Sequence, residues 1–199
     1  MTRLRREGSL RRSVVAAGLA VALTVLTACS SPLDRPTAEQ LPGPVPDGVI
    51  FRDIPATAPP APDGDLTLLN GDAVSLSSLA SDRPVVLLFF EAWCEQCAAG
   101  QDELNAAANA YGDAVTFVSV AGESTVDEAK TYATDHDIPY LVALDPSGDL
   151  WESYAVEEAP FTVFIGPGGA LVRGWPGYID GIQDAIAAIL VTSMPDDDG

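Results

Sequence analysis

The sequence predicts an α/β fold with a layered sheet, on three observations. Short apolar runs alternate with segments of helical periodicity. One run, Val85–Phe90, is apolar throughout, which is typical of a strand buried on both faces. The pattern then ends in a hairpin and a helix. With 199 residues and 47% hydrophobic content, the chain is long enough for one domain with its own core.

The predicted sheet begins with a hairpin. Leu66–Leu69 and Val74–Leu76 flank the pair Asn70-Gly71, which is typical of a tight turn. The buried strand Val85–Phe90 follows, and helical spacing then predicts a helix from Cys97 to Tyr111.

The middle of the chain repeats this alternation. Val115–Val120 is the next predicted strand, and Ser124 is a suitable cap for a helix that continues to Ala133. Leu141–Leu144 predicts a third buried strand, and Asp149–Tyr154 predicts a short helix.

The last elements are a hairpin and a helix. Phe161–Ile165 and Ala170–Trp175 pair across a Gly-Pro-Gly-Gly turn, and Asp180 is expected to cap the final helix. The apolar stripe of that helix comprises Ile182, Ile186, Ile189 and Leu190.

The N-terminus has the pattern of a secretion signal. Five arginines in the first twelve positions precede the apolar run Val14–Leu26, which is too short to cross a bilayer comfortably. Leu26-Thr27-Ala28-Cys29 resembles the bacterial lipobox, so residues 1–28 are expected to be a lipoprotein signal peptide and Cys29 the lipidated residue. An ordinary signal peptide with a chance cysteine, or an uncleaved anchor, is the alternative.

A proline-rich segment separates this signal from the periodic part of the chain. Nine of the 16 prolines lie between Ser30 and Asp63, which predicts a semi-rigid tether over residues 29–62. Within it, the apolar stretch Val49-Ile50-Phe51 is expected to dock on the domain. The domain is predicted to span residues 63–193, and an acidic tail residues 194–199.

The charge is strongly negative, −19 over the whole chain. Nucleic acid and anionic lipid headgroups both require basic surface, so neither is an expected partner. Cleavage before Cys29 would leave five basic and 28 acidic side chains, a net charge of −23. The protein is therefore expected to be held by its lipid alone, on the outer face of the cytoplasmic membrane.

The chemistry is predicted at Trp93-Cys94-Glu95-Gln96-Cys97, directly after the most apolar strand and at the start of a helix. Two cysteines three residues apart in a helical first turn can form a disulfide. The helix N-terminus favours a thiolate on Cys94, which makes Cys94 the predicted nucleophile, with its side chain exposed and that of Cys97 buried. Cys97, one turn inside, is the predicted resolving cysteine.

Two other readings of the cysteine pair remain. A zinc site would need four ligands, and His136 is the only other soft candidate besides Cys29. More simply, His136 between Asp135 and Asp137 is a solvated residue. An inert structural disulfide would suit an oxidising compartment but would not need a strand-to-helix junction.

Phe90–Cys97 resembles the active-site segment of thioredoxin-fold proteins, and especially the membrane-tethered TlpA/ResA-type thiol–disulfide oxidoreductases. A second stretch, Tyr154–Ile165, matches the family segment that carries a cis-proline facing the disulfide, at Ala159-Pro160. The resemblance covers residues 63–191. It implies a three-layer α/β/α sandwich with a mixed sheet, an N-terminal hairpin and a central helix–strand insertion over residues 121–145. It also implies that the Ala159 backbone holds a substrate chain.

The chain departs from that family where protons are handled. Leu88 occupies the position of the buried acid of minimal thioredoxins, and Gly100 the position where ResA-like proteins often carry a glutamate. Gln96 replaces the common proline between the cysteines. The candidates to substitute for these acids are Glu91, Glu95, Asp102 and Glu103. Peroxiredoxins share the fold, but no Thr or Ser of their nucleophile motif precedes Cys94.

The expected function is thiol–disulfide exchange with protein substrates, as a reductase of the cytochrome-maturation type more than an oxidase. Glu95 and the anionic chain disfavour the Cys94 thiolate, which makes the couple more reducing. Trp93 is expected to pack beside the disulfide, partly as core and partly as a substrate platform. No cofactor beyond the dithiol is implied, and the protein is expected to be a monomer. The resemblance implies a membrane electron donor of the CcdA type. The alternative is a non-enzymatic binding or chaperone lipoprotein with a structural disulfide.

Overall fold

The structure is a computed structural model that describes residues 38, 40–178 and 180–192. Within those residues the chain forms nine strands and five helices. The strands are β1 (Val49–Phe51), β2 (Asp65–Leu68), β3 (Ala73–Ser75), β4 (Val85–Phe90), β5 (Thr116–Ala121), β6 (Leu141–Leu144), β7 (Phe161–Ile165), β8 (Leu171–Pro176) and β9 (Leu190–Thr192). The helices are α1 (Leu76–Leu79), α2 (Glu95–Tyr111), α3 (Val126–Asp135), α4 (Asp149–Ser153) and α5 (Ile182–Ala187).

Seven strands form one mixed sheet in the order β3-β2-β6-β5-β4-β7-β8. The central strands β4, β5 and β6 run parallel, and β7 pairs antiparallel with β4. The predicted N-terminal hairpin, β2 and β3, forms one edge of the sheet, and β8 forms the other. A separate two-stranded ladder joins β1 to β9.

Strand β4 is buried along its whole length because helices cover both faces of the sheet. Val86, Leu88 and Phe90 pack in one core with residues of α2, α3 and α5. The alternate residues Val85, Leu87 and Phe89 pack in a second core with residues of α1 and α4. Successive side chains of a strand point to opposite faces, so a fully apolar strand is what this three-layer arrangement requires. The predicted α/β/α sandwich is confirmed.

The central insertion consists of α3 and β6. Strand β6 lies between β2 and β5 and is hydrogen-bonded to both, so the insertion widens the sheet at the side of the hairpin. This agrees with the helix–strand segment expected over residues 121–145.

The predicted cap of α3 is wrong by one residue. Thr125, not Ser124, is the N-cap: its hydroxyl accepts the N–H of Glu128, and the Glu128 carboxylate accepts the N–H of Thr125. The Ser124 hydroxyl instead accepts the N–H of Ala92, 3.1 Å away. The helix continues to Asp135, two residues beyond the expected end.

The predicted last helix is also wrong at both ends. Its N-cap is Gly181, with φ of +71° and no side-chain cap, so Asp180 does not cap it. The helix ends at Ala187, and Leu190 belongs to β9, where it pairs with Phe51 of β1. This ladder confirms that Val49-Ile50-Phe51 docks on the domain.

Residues 40–62 lie within the predicted tether and are hydrogen-bonded to the domain. Arg83, which is buried, donates to the carbonyl groups of Gly43 and Asp113. Further along, Ala61 donates to Gly169, and Pro59 accepts from Leu171. The boundary at residue 63 stays a prediction.

The remaining terminal predictions are not addressed by the structure. The signal peptide 1–28, Cys29 and the tail 194–199 lie outside the described residues. In the part of the chain that is described, none of the helices combines the length and the apolar character that a membrane crossing requires.

Candidate active site

Cys94 and Cys97 form a disulfide at the N-terminus of α2, with Cα atoms 5.2 Å apart. Cys94 is the N-cap of this 17-residue helix, and its Sγ accepts the backbone N–H of Cys97 at 3.0 Å. Cys94 is only 9% exposed, so the predicted exposure of this residue is wrong, and Cys97 is fully buried as predicted. Of the two sulfur-bearing residues, Cys94 is therefore both the more accessible and the one at the position that stabilises an anion.

The segment between β4 and α2 is held by backbone hydrogen bonds. The N–H of Cys94 bonds to the carbonyl of Glu91 at 3.0 Å, which makes a tight turn. Ala92 donates to the Ser124 hydroxyl, and Gly122 donates to the carbonyl of Phe90. The loop after β5 therefore fixes the segment that leads into the disulfide.

Pro160 lies at the same end of the sheet as the disulfide. It directly precedes β7, whose Phe161 pairs with Phe89 near the end of β4. The Ala159–Pro160 peptide bond is cis, as the resemblance implies. Ala159 packs against the core that contains Cys94 and Cys97, and the carbonyl of Pro160 accepts the N–H of Gly177. The role of Ala159 in holding a substrate stays a prediction.

Trp93 is exposed over 67% of its surface. The core role expected in part for this residue is wrong, and its ring is accessible to a partner. Trp93 and Ala92 form one wall of a groove of about 370 Å³, and α3 with the residue that follows it forms the other. The residues of that second wall are Asp127, Glu128, Thr131, Tyr132, Asp135 and His136.

Of the four carboxylates proposed as substitutes for the missing acids, only Glu91 is partly buried. Burial, with a further contribution from the nearby carboxylate of Glu123, raises the pKa of Glu91 above its ordinary value. Glu95, Asp102 and Glu103 are exposed, and Glu103 accepts the N–H of Gly181 at the start of α5.

The structure places three tyrosines near α2 that the sequence analysis did not identify. The ring of Tyr178 fills the space above Gly100, where an added methyl group would overlap three of its ring carbons. The Tyr178 hydroxyl donates to the carbonyl of Cys97. Tyr132 and Tyr140 are buried in the same core as Cys97. Gly100 is the one feature of the sequence that could have indicated Tyr178, because a residue without a side chain on a helix leaves room for an aromatic ring.

All three hydroxyl groups stay protonated at neutral pH. Burial raises the pKa of Tyr132 to about 12, and it also raises the pKa values of Tyr140 and Tyr178. Tyr140 accepts from the side-chain amide of Gln101 at 2.6 Å and from the hydroxyl of Ser119 at 3.3 Å. A network of neutral polar groups therefore lies on the inner side of α2.

Residues 58–173 match the AhpC/TSA family. The chain belongs to this family. Two curated relatives are similar to it over part of their length. A thioredoxin-like protein of Haemophilus influenzae is 27% identical over 100 residues, which cover 50% of this chain and 59% of the relative. The thiol–disulfide oxidoreductase ResA of Bacillus thuringiensis is 24% identical over 114 residues, which cover 57% of this chain and 65% of the relative. The chain thus spans about three fifths of each.

A solved structure is similar over nearly its full length. The crystal structure of a secreted Mycobacterium tuberculosis disulfide oxidoreductase homologous to E. coli DsbE has a TM-score of 0.56 and 27% identity. The match covers 63% of this chain and 96% of that one. Together with the paired cysteines, these similarities show a thioredoxin-fold redox protein of the TlpA/ResA type.

In this AhpC/TSA-family protein the two positions that lack an acid differ in their surroundings. Leu88 is buried and packs in the core that contains the disulfide. Gly100 is covered by Tyr178. His136 is the C-cap of α3, and the centroid of its ring lies 4.4 Å from the centroid of the Tyr132 ring. Among the described residues, no three His, Cys, Asp or Glu side chains are grouped to hold a metal ion.

Proposed function

We propose that this protein is a thiol–disulfide oxidoreductase in which Cys94 attacks and Cys97 resolves. One observation carries the proposal: the disulfide joins the N-cap of a long helix to a buried residue of its first turn. The N–H of Cys97 points at the sulfur of Cys94, and hydrogen bonding to a thiolate lowers the pKa of a thiol. An inert disulfide would gain nothing from this position.

The proposed reaction transfers two electrons. The Cys94 thiolate attacks a substrate disulfide, forms a mixed disulfide, and releases one substrate thiolate, which takes the proton of the Cys97 thiol. The Cys97 thiolate then attacks Cys94, so that the Cys94–Cys97 bond forms and the second substrate thiolate leaves. The substrate is reduced and the protein is oxidised.

We propose the reductase direction, of the cytochrome-maturation type. Glu95 is exposed in the first turn of α2, directly after Cys94, and its charge opposes the thiolate. A less stable thiolate makes the reduced form less favourable and the couple more reducing. A reductase outside the cytoplasm requires electrons from the membrane, which a donor of the CcdA type would supply.

The same proposal includes the setting in which the protein works. A lipid on Cys29 anchors it at the outer face of the cytoplasmic membrane, where it acts as a monomer. No cofactor beyond the dithiol takes part. Its protein substrates are basic or neutral, because the chain carries 29 acidic and only 10 basic side chains. Supporting this, the groove beside Trp93 has three carboxylate residues on its opposite wall.

The reduction potential tests the proposed function. The full chain carrying Cys29→Ser, in which Cys94 and Cys97 are the only thiols, is equilibrated with glutathione and dithiothreitol. A value near that of thioredoxin, about −270 mV, supports a reductase. A value near about −120 mV would make the protein a disulfide-forming oxidase. Resistance to reduction well below about −300 mV would favour the non-enzymatic binding or chaperone protein instead. Cys94→Ser is the control without a disulfide.

A further inference from the structure

The proposed exchange places a negative charge on the sulfur of Cys97. When a thiolate attacks Cys94, the disulfide breaks and the electron pair stays on the Sγ of Cys97. Cys97 is fully buried, and a buried anion is costly unless a hydrogen-bond donor or a positive charge accompanies it. Leu88 and Gly100 offer no polar group, so the donor must come from elsewhere in the fold.

Tyr178 is in the position to be that donor. Its ring lies against α2 at Gly100, three residues after Cys97, and its hydroxyl already donates to the carbonyl of Cys97. The residue before it, Gly177, is fixed by a hydrogen bond to Pro160 and by another from the Thr162 hydroxyl. The backbone beside Tyr178 is therefore held to the start of β7, while the hydroxyl reaches the resolving cysteine.

The hydroxyl of Tyr132 on α3, beside Tyr178, is buried without a well-formed hydrogen bond. A buried unsatisfied polar group in a folded protein calls for an explanation, and a redox role is one of the recognised ones. Tyr132 can accept from Tyr178 or donate to it, and so can take part when Tyr178 changes partner.

We propose that Tyr178, supported by Tyr132, is the hydrogen-bond donor that stabilises the thiolate of Cys97, both when the Cys94–Cys97 bond opens and when Cys97 loses its proton to attack a mixed disulfide. The inference rests on the proposed function and adds a residue to it. On opening, the Tyr178 hydroxyl turns from the carbonyl of Cys97 to its Sγ and keeps its own proton. The proton that finally neutralises Cys97 comes from the second thiol of the incoming dithiol, which becomes the next nucleophile.

The surrounding charges are compatible with this role. The titratable groups that face Tyr178 are the hydroxyls of Tyr132 and Tyr140. Both stay neutral, because burial raises their pKa values far above 7. On α2 the carboxylates of Glu95 and Glu103 are exposed to solvent. Before Cys94, the carboxyl of Glu91 is partly buried and has Glu123 as its charged neighbour.

The test separates the two cysteines by their kinetics. The fully reduced Cys29→Ser chain reacts with a stoichiometric amount of dithionitrobenzoate, and each thionitrobenzoate released is followed by its absorbance. The first release reports attack by Cys94. The second reports attack by Cys97 on the mixed disulfide, and its pH dependence gives the apparent pKa of Cys97. We expect Tyr178→Phe to raise that second pKa by about one pH unit, and to slow the second release about tenfold below it. The first phase should not change.

The matched control is Tyr154→Phe. Tyr154 is also a partly buried tyrosine that donates to a backbone carbonyl, that of Pro62, but on the other face of the sheet. A second variant, Gly100→Ala, keeps the hydroxyl and displaces the ring, so it should shift the second phase in the same direction. If Tyr178→Phe does not fold, the second phase is measured in Gly100→Ala instead.

The possible results each decide the question. A second phase with the same pH profile in Tyr178→Phe and in the parent chain would overturn the inference, as would an equal change in Tyr154→Phe. A disulfide that cannot be reduced at all would overturn the proposed function instead, before any variant is compared. A shift confined to the second phase of Tyr178→Phe and Gly100→Ala supports the role of Tyr178.

Discussion

Two opposing effects act on the sulfur of Cys94. The N-terminus of α2 and the N–H of Cys97 stabilise a thiolate, whereas the neighbouring Glu95 carboxylate opposes it. We expect Glu95→Lys to lower the pKa of the Cys94 thiol and to raise the reduction potential by some tens of millivolts, about 30 mV for each tenfold change in the equilibrium with glutathione. Redox equilibration measures it.

The control for that substitution is Asp102→Lys, which makes the same charge change at an exposed position two turns further along α2. Because this position is farther from Cys94, we expect a smaller change in the reduction potential. An unchanged potential in Glu95→Lys would contradict the electrostatic explanation of the reductase direction. An equal change in both variants would assign the effect to net charge.

The raised pKa of Glu91 affects the stability of the folded protein. Because its pKa is raised in the folded protein, folding favours the protonated carboxyl, and the charged form at neutral pH lowers the free energy of unfolding. We expect Glu91→Gln to stabilise the oxidised protein at pH 7. The advantage should disappear below about pH 4, the ordinary range for a glutamate. Denaturant unfolding at both pH values measures this, with Glu152→Gln on α4 as the exposed control. The same difference at both pH values would contradict a titration of Glu91.

Two adjacent hydroxyl residues have different tasks in the elements that they join. Thr125 caps α3 reciprocally with Glu128, whereas Ser124 binds the segment that leads to Cys94. We expect Thr125→Ala to lower the free energy of unfolding by about 1 kcal/mol without changing the redox equilibrium. Ser124→Ala should leave α3 intact and instead alter the reactivity of Cys94. Thermal unfolding and the first thionitrobenzoate phase distinguish the two. Interchanged effects would restore Ser124 as the cap.

The same pair shows how far the sequence predicts the elements. Strand β4 is predicted with its observed bounds, because burial on both faces leaves a continuous apolar run. Ser124 and Thr125 are chemically equivalent as caps, and only the path of the loop after β5 decides between them. Leu190 has the spacing of a helix stripe but pairs in β9, because β1, distant in sequence, offers its edge. Long-range pairing of this kind leaves no local signal.

In the candidate site, too, the residues with a local sequence pattern are predicted and those brought in from a distance are not. The cysteines and Pro160 are predicted because their chemistry is contiguous in sequence or matches a known segment. Tyr178 is not, because it reaches Cys97 from 81 positions away, through the hydrogen bonds of Gly177 with Pro160 and Thr162. The missing acids are visible in the sequence, but the tyrosine that occupies the space above Gly100 becomes visible only in the fold.

At the scale of the molecule, charge and access coincide at one end of the sheet. The disulfide, the exposed Trp93 and the groove along α3 lie together, and the groove carries Asp127 and Asp135 on its far wall. A cationic segment next to a substrate cysteine would find an aromatic face and two carboxylates there. Glu128 also lines the groove, but its carboxylate is engaged in the cap of α3.

This arrangement predicts that substrate charge controls the rate of exchange. We expect a disulfide-containing peptide with flanking lysines to be reduced about tenfold faster than its glutamate counterpart at low ionic strength. The difference should shrink with added salt, since exposed charges are screened beyond about 8 Å at physiological ionic strength. Stopped-flow rates with the reduced Cys29→Ser chain measure it.

A double variant locates the effect. Asp127→Asn with Asp135→Asn removes two charges from the groove, whereas Asp65→Asn with Glu152→Gln removes two exposed charges on β2 and α4. If the groove guides the substrate, only the first pair lowers the preference for the cationic peptide. If both pairs lower it equally, the net charge of the whole chain attracts the peptide, and the groove has no part of its own. A peptide preference that salt does not change would exclude electrostatic guidance altogether.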